Sequence, residues 1–122
     1  MAYDQNNIFA RILRGELPFK KVHENKHALA FHDVNPQMPV HGLVIPKGPY
    51  TDMGEFNASA TLQEMGGLMR CMAEAAKNMG LAESGYRLIS NNGSDAHQEV
   101  AHLHFHIFGG RPIMGRMIKA QN

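Results

Sequence analysis

From His102 to Ile107 the chain alternates polar and apolar side chains, as His102-Leu103-His104-Phe105-His106-Ile107. A two-residue period belongs to a β-strand, where positions i, i+2 and i+4 share one face. The pattern predicts a strand with three imidazoles in a row on one face and Leu103, Phe105 and Ile107 on the other. Such a row can hold a proton, a metal ion or a phosphate, and one of its members can act as a nucleophile. A metal patch is one alternative, although zinc sites usually mix ligands from separate elements and structural ones often use cysteine. The single cysteine, Cys71, falls inside a predicted helix.

The rest of the chain reads as short elements around that strand. Asn7 can cap a short helix with Ile8, Phe9, Ile12 and Leu13 on one face, and Gly15 ends it. Lys21–Glu24 and Ala28–Phe31 read as strands joined by a tight turn at Asn25-Lys26. Gly42–Ile45 reads as a buried strand stopped by Pro46, and the loop before it carries Pro36 and Pro39. One long helix is predicted to open at Asn57 or Ser59 and to close at Gly80. Leu62, Met65, Leu68, Met69, Met72, Ala76 and Met79 recur along it at helical spacing, a stripe suited to core or dimer packing. Gly66-Gly67 inside that helix implies close approach of another backbone, and a dimer-mate's helix is the expected neighbour. Tyr86–Ser90 is a fourth strand and the histidine segment a fifth. Short strands with hairpin-length connections give an antiparallel sheet with one short and one long helix, α+β in class.

A chain of 122 residues is expected to form a single domain, residues 1–122, with a variable tail from about residue 112. The net charge is +1, from 12 basic and 11 acidic residues, which supplies no cationic surface for nucleic acid or an anionic membrane. No apolar run reaches the ~20 residues that span a bilayer. The first seven residues are polar and lack a signal peptide's pattern, and one cysteine precludes an intrachain disulfide framework. A cytoplasmic protein is expected.

Beyond these patterns the chain resembles a known family. His-x-His-x-His with apolar intervening residues resembles the signature of the histidine triad superfamily of nucleotide hydrolases and transferases. The following Gly109-Gly110-Arg111 is similar to its Hint branch, the purine nucleoside phosphoramidases. Other blocks extend the resemblance in the same order: Ile8–Ile12 with Gly15-Glu16-Leu17-Pro18, Ala30–His41 with Leu43–Lys47, Gly85–Ile89 with Asn91, and Gln98-Glu99-Val100. The resemblance implies a HIT-like fold of about five antiparallel strands, with the sheet extended across a homodimer.

For the site, the resemblance implies that His104 is the nucleophile, that His102 orients it, and that His106 donates to a phosphate oxygen. His41 completes a cluster of four and is expected beside the phosphate. Backbone N–H groups near Gln98 and Glu99 are expected to hold the phosphate. Asp33 is the implied ribose clamp, because one carboxylate accepts from two vicinal hydroxyls; by itself an aspartate after a strand reads equally as a turn residue. Ile8, Phe9, Ile12, Phe31 and Val34 would line an apolar slot for a purine, with Asn91 in a polar contact and His32 adjacent to Asp33. The implied reaction cleaves the P–N bond of a purine nucleoside 5′-phosphoramidate. It needs no cofactor, no metal, no nucleic acid and no membrane. Two positions depart from the family pattern: His97 stands where glycine is usual, either narrowing the phosphate approach or adding a donor to it, and Ala101 where an aromatic is usual. Arg111 and Arg116 are expected to border the leaving-group side and to favour acidic amines. Alternatives are a dinucleoside polyphosphate hydrolase, against which Gly109-Gly110-Arg111 argues, a nucleotide-binding module with little turnover, and a histidine-based metal binder.

Overall fold

Residues 2–118 are described by a computed structural model of the chain. Of the tail, residues 119–122 lie outside the described residues. Helix α1 spans Ile8–Leu13, and strands β1 (Lys21–Glu24), β2 (Ala28–His32) and β3 (Val40–Pro46) follow. Helices α2 (Met53–Ser59) and α3 (Leu62–Asn78) then lead to β4 (Arg87–Ile89), a 3₁₀ turn at Ser94–Ala96, and β5 (Phe105–Gly109). The five strands form one antiparallel sheet in the order β1-β2-β3-β5-β4. The α+β class and the five-stranded antiparallel sheet are as expected.

Side-chain alternation divides the interior into two layers. Ala28, Ala30, Val44, Leu103 and Ile107 pack with Leu68, Cys71, Met72, Ala75 and Ala76, the buried stripe of α3. Leu29, Phe31, Leu43 and Ile45 face the other way and pack with Phe9 of α1. The β3–β5 register pairs Leu43 with His106 and His41 with Phe108, so both histidines lie on the α1 side of the sheet. The site therefore sits on the layer opposite α3.

Several expectations at the level of elements are corrected. The ladder of β5 begins at Phe105, not at His102. His102 and His104 precede it, although the alternation continues upstream, with Leu103 in the α3 layer. The region of the predicted long helix holds two helices. Asn57 and Ser59 belong to α2, the chain turns extended at Ala60, and α3 opens at Thr61. Thr61 and Glu64 form a reciprocal capping box, each side chain accepting from the other residue's backbone N–H.

The methionine stripe is narrower than its spacing suggested: Leu62 and Met69 are 80% and 63% exposed. The glycine pair has an intrachain explanation. A Cβ on Gly67 would lie 2.7 Å from His27 Cβ, in the β1–β2 turn, whereas one on Gly66 would meet nothing within 4 Å. Asn25 Nδ2 donates to the Gly67 carbonyl across the same contact, at 2.8 Å. The close neighbour of this glycine is thus the chain's own hairpin.

Candidate active site

A cleft of about 540 Å³ opens on the α1 side of the sheet. Its apolar lining comes from Ile8, Phe9 and Ile12 of α1 and from Phe31 at the end of β2. His32, Asp33 and Val34 continue that wall, and Asn91, His97 and Glu99 line the cleft from the segment before the triad. His104 and His106 also reach it. Of the residues singled out in the sequence, His41, His102 and Gln98 do not line the cleft, and their hydrogen bonds show where each acts instead.

His102 is fully buried. Its Nε2–H donates to the Pro46 carbonyl at 2.8 Å, and its Nδ1 accepts from the Tyr3 hydroxyl at 2.5 Å. Burial, with the neighbouring His104, pushes its pKa down to about 4, against a favourable bond to Pro46. The ring is therefore neutral and carries its proton on Nε2. His104 Nδ1–H donates to the backbone carbonyl of His102 at 2.7 Å. A carbonyl only accepts, so His104 is the opposite tautomer, with a lone pair on Nε2. Among the described residues that atom has no partner, and no fully buried side-chain nitrogen or oxygen lacks one. Nε2 of His104 is therefore accessible from the cleft. Burial also holds the His104 pKa below its usual range; the bond to His102 and the charges of Glu99 and Asp33 oppose this.

His41 and His106 form a second relay. The Gln37 N–H donates to His41 Nδ1 at 3.1 Å, so a neutral His41 carries its proton on Nε2. That Nε2–H reaches His106 Nδ1 at 2.9 Å and Asp33 Oδ2 at 3.3 Å. His106 then keeps its own proton on Nε2. Burial, with the neighbouring His104 and His41, brings the His106 pKa down to about 4. His41 thus stands behind His106 rather than in the cleft, and burial lowers its pKa while Asp33 opposes the shift. One atom each of Asp33, His41 and His106 lies within 4.8 Å of the others, a spacing that can also receive a metal ion. The hydrogen-bonded chain accounts for the same distances.

Rings pack around the relay. Phe9 stands edge-on to His104 with ring centres 4.9 Å apart, and His106 stacks on Phe108 at 5.5 Å. Asp33 meets its reading as a turn residue, Oδ1 accepting from the Asn35 N–H at 2.8 Å, and it also lines the cleft.

Gln98 is turned away into its own loop. Its Oε1 accepts from the Gly93 N–H, and its Nε2 donates to the carbonyls of Thr51 and Val100. Its backbone N–H donates to Gly93, so this amide is not free to hold an anion. His97, next to it, adopts φ 57° and ψ 44° and is the only non-glycine residue with positive φ among those described. This left-handed backbone is one that glycine adopts without strain and histidine does not. Ala101 is exposed, so the missing aromatic leaves no void under β5. Neither Arg111 nor Arg116 lines the cleft; Arg111 borders a separate cavity with Tyr86 and Arg87.

Tyr3 was not singled out in the sequence. It binds His102 across 99 positions, and no local pattern could have signalled it.

The model of the HIT domain matches residues 14–113. An uncharacterized 13.2 kDa HIT-like protein of Azospirillum brasilense is 62% identical over 95% of this chain and 94% of its own length. The purine nucleoside phosphoramidase of Escherichia coli K12 is 38% identical over 89% of this chain and 91% of its own. Among solved structures, a HIT family hydrolase from Clostridium thermocellum superposes with a TM-score of 0.85 at 38% identity, covering 95% of this chain and 99% of that one. With the domain match spanning most of the chain and a relative at 62% identity over nearly all of it, the protein belongs to the HIT domain family.

Proposed function

We propose that the protein hydrolyses purine nucleoside 5′-phosphoramidates to a nucleoside monophosphate and an amine. The likeness to the Escherichia coli phosphoramidase supports the substrate class. The observation that carries the chemistry is the tautomer of His104: Nδ1–H is held by the His102 carbonyl, and a neutral, accessible Nε2 is left over. An imidazole in this state is a ready nucleophile at neutral pH.

In the proposed reaction Nε2 of His104 attacks the α-phosphorus, the P–N bond breaks with its electron pair going to nitrogen, and the amine leaves with a proton taken from solvent, which the water consumed in the next step gives back. Water then cleaves the phosphorus–imidazole bond, releasing the monophosphate and regenerating the neutral ring. The positive charge formed on the attacking ring is stabilised by the His102 carbonyl at Nδ1–H. His106 Nε2–H donates to a non-bridging oxygen, and His41 fixes the tautomer that makes this possible. Asp33 holds the ribose, while Ile8, Phe9, Ile12, Phe31 and Val34 take the base, with His32 and Asn91 at the borders. His97 borders the phosphate approach, and Gln98 braces the loop that carries Glu99. No cofactor enters any step. A homodimer joined through its sheets, a single domain over residues 1–122 and a cytoplasmic site of action complete the reading. Among the described residues no helix is long and apolar enough to cross a membrane.

The test is to quench a reaction with adenosine 5′-phosphoramidate in its first turnover and map the covalent adduct by peptide mass spectrometry. The expected result is one adenylyl group on His104. Rapid turnover with no adduct on any histidine would sink the two-step route.

A further inference from the structure

We propose that Glu99 selects the leaving group, favouring amines that carry a second, cationic nitrogen and disfavouring leaving groups that carry negative charge. This rests on the phosphoramidase reading and extends it to the identity of the amine.

The charge inventory of the cleft comes first. Asp33 and Glu99 are the carboxylates in its lining, and no lysine or arginine stands among its lining residues. Lys20 belongs to an adjoining depression shared with Phe19 and Val34, beside the residues proposed for the nucleoside. His104 and His106 do not offset the carboxylates at neutral pH, because burial keeps both rings neutral.

The two carboxylates differ in what they touch. Asp33 accepts from the Asn35 N–H and lies 3.3 Å from His41. Among the described residues Glu99 makes no hydrogen bond or ion pair; Glu74 and Glu83 make none either, but of the three only Glu99, an exposed residue, lines the cleft. Its charge still reaches the reacting group, since it works against the lowering of the His104 pKa. The backbone that presents it is held on the preceding side by the three side-chain bonds of Gln98.

Shared lining assigns the role. Glu99 lines the same cleft as His104, in the segment that also brings Ala96, His97 and Val100 to it, whereas the nucleoside is proposed against α1 and the end of β2. The substituent that leaves the phosphorus occupies this cleft with the Glu99 carboxylate, so its charge acts against that of Glu99. An ammonium there is attracted to an otherwise unengaged carboxylate, and a carboxylate or phosphate chain is repelled. This reverses the preference for acidic amines expected from Arg111 and Arg116. It also gives a physical reason for the site to reject dinucleoside polyphosphates.

The test uses three adenosine 5′-phosphoramidates of equal length, made from 1,4-diaminobutane, pentylamine and 4-aminobutyrate. For the wild type, kcat/KM is expected to fall in the order cation, neutral, anion. In Glu99→Gln the cation-to-neutral ratio is expected to fall about 5-fold, and the wild-type ratio to shrink between low and high salt. An unchanged ratio in Glu99→Gln overturns the proposal, as does an equal loss on all three substrates. Wild-type turnover of the neutral amidate without charge selectivity overturns the proposal and leaves the phosphoramidase reading standing. Absence of any turnover by folded wild type overturns both.

Discussion

Backbone groups decide where the protons sit on His41, His102 and His104. The carbonyls of Pro46 and His102 each demand a donor, and the Gln37 amide demands an acceptor. Three rings close together are thereby held in defined tautomers, His41 and His102 with the proton on Nε2 and His104 with it on Nδ1. The consequence for pH can be worked out at His102. Folded, its pKa is about 4, against 6.5 for an unperturbed ring, so between those values the unfolded chain binds the extra proton. Stability is therefore complete above about pH 6.5 and falls as pH drops through the window; this residue alone accounts for about 3 kcal/mol by pH 4. NMR titration of the ring C–H signals is expected to leave His102 unmoved from pH 7.5 to 5.5. A midpoint near 6.5 would contradict its burial and its bonds. At this scale the sequence was informative wherever spacing carried the chemistry: His102, His104 and His106 through their alternation, Asp33 through its motif. It was silent on Tyr3, whose bond to His102 depends on where the N-terminal segment lies in three dimensions.

Elements place these residues, and α3 shows how. It lies against β1, β2 and β3 on the layer opposite the cleft, and its Gly67 admits the β1–β2 hairpin. Two neighbouring glycines then respond oppositely to the same substitution. Gly67→Ala is expected to cost about 1–3 kcal/mol, since its Cβ would sit 2.7 Å from His27 Cβ. Gly66→Ala enters open space on an exposed helix face and is expected to add about 0.5–1 kcal/mol. Urea midpoints of the two variants check both signs, and a stabilising Gly67→Ala would contradict the packing described. The sequence announced glycine's purpose here, close approach, but not the partner, because helical spacing cannot distinguish a hairpin from a second chain. It did contain the break between α2 and α3: Thr61 followed three residues later by Glu64 is a capping signal. The stripe from Leu62 onward obscured it. The β5 ladder starts later than its alternation because His102 and His104 use their side chains and backbone on Pro46 and on each other.

At the scale of the molecule, the sheet ends in β4, whose Leu88 is 41% exposed. An unpaired edge offers backbone donors and acceptors to a second copy, and the proposed homodimer joins sheets in this way. Sedimentation equilibrium is expected to give twice the 13.6 kDa chain mass. Proline at Leu88, which removes one backbone donor from that strand, is expected to shift the mass toward the monomer. A wild type that sediments as a monomer at micromolar concentration would contradict that assembly. The overall class was legible because short alternating strands and turn residues leave few ways to cover a sheet. The two-layer division was not, because it depends on register, which pairs Leu43 with His106 and sets the histidines on the α1 side.

The central claim is that an accessible, neutral His104 performs nucleophilic chemistry on a nucleoside phosphoramidate. It is tested most directly by steady-state turnover of adenosine 5′-phosphoramidate by wild type and by His104→Ala, with a chelator present and folding checked by circular dichroism. The account expects wild-type turnover that the chelator leaves intact and a loss of at least about 10³-fold in the variant. Comparable rates in the two proteins would contradict it.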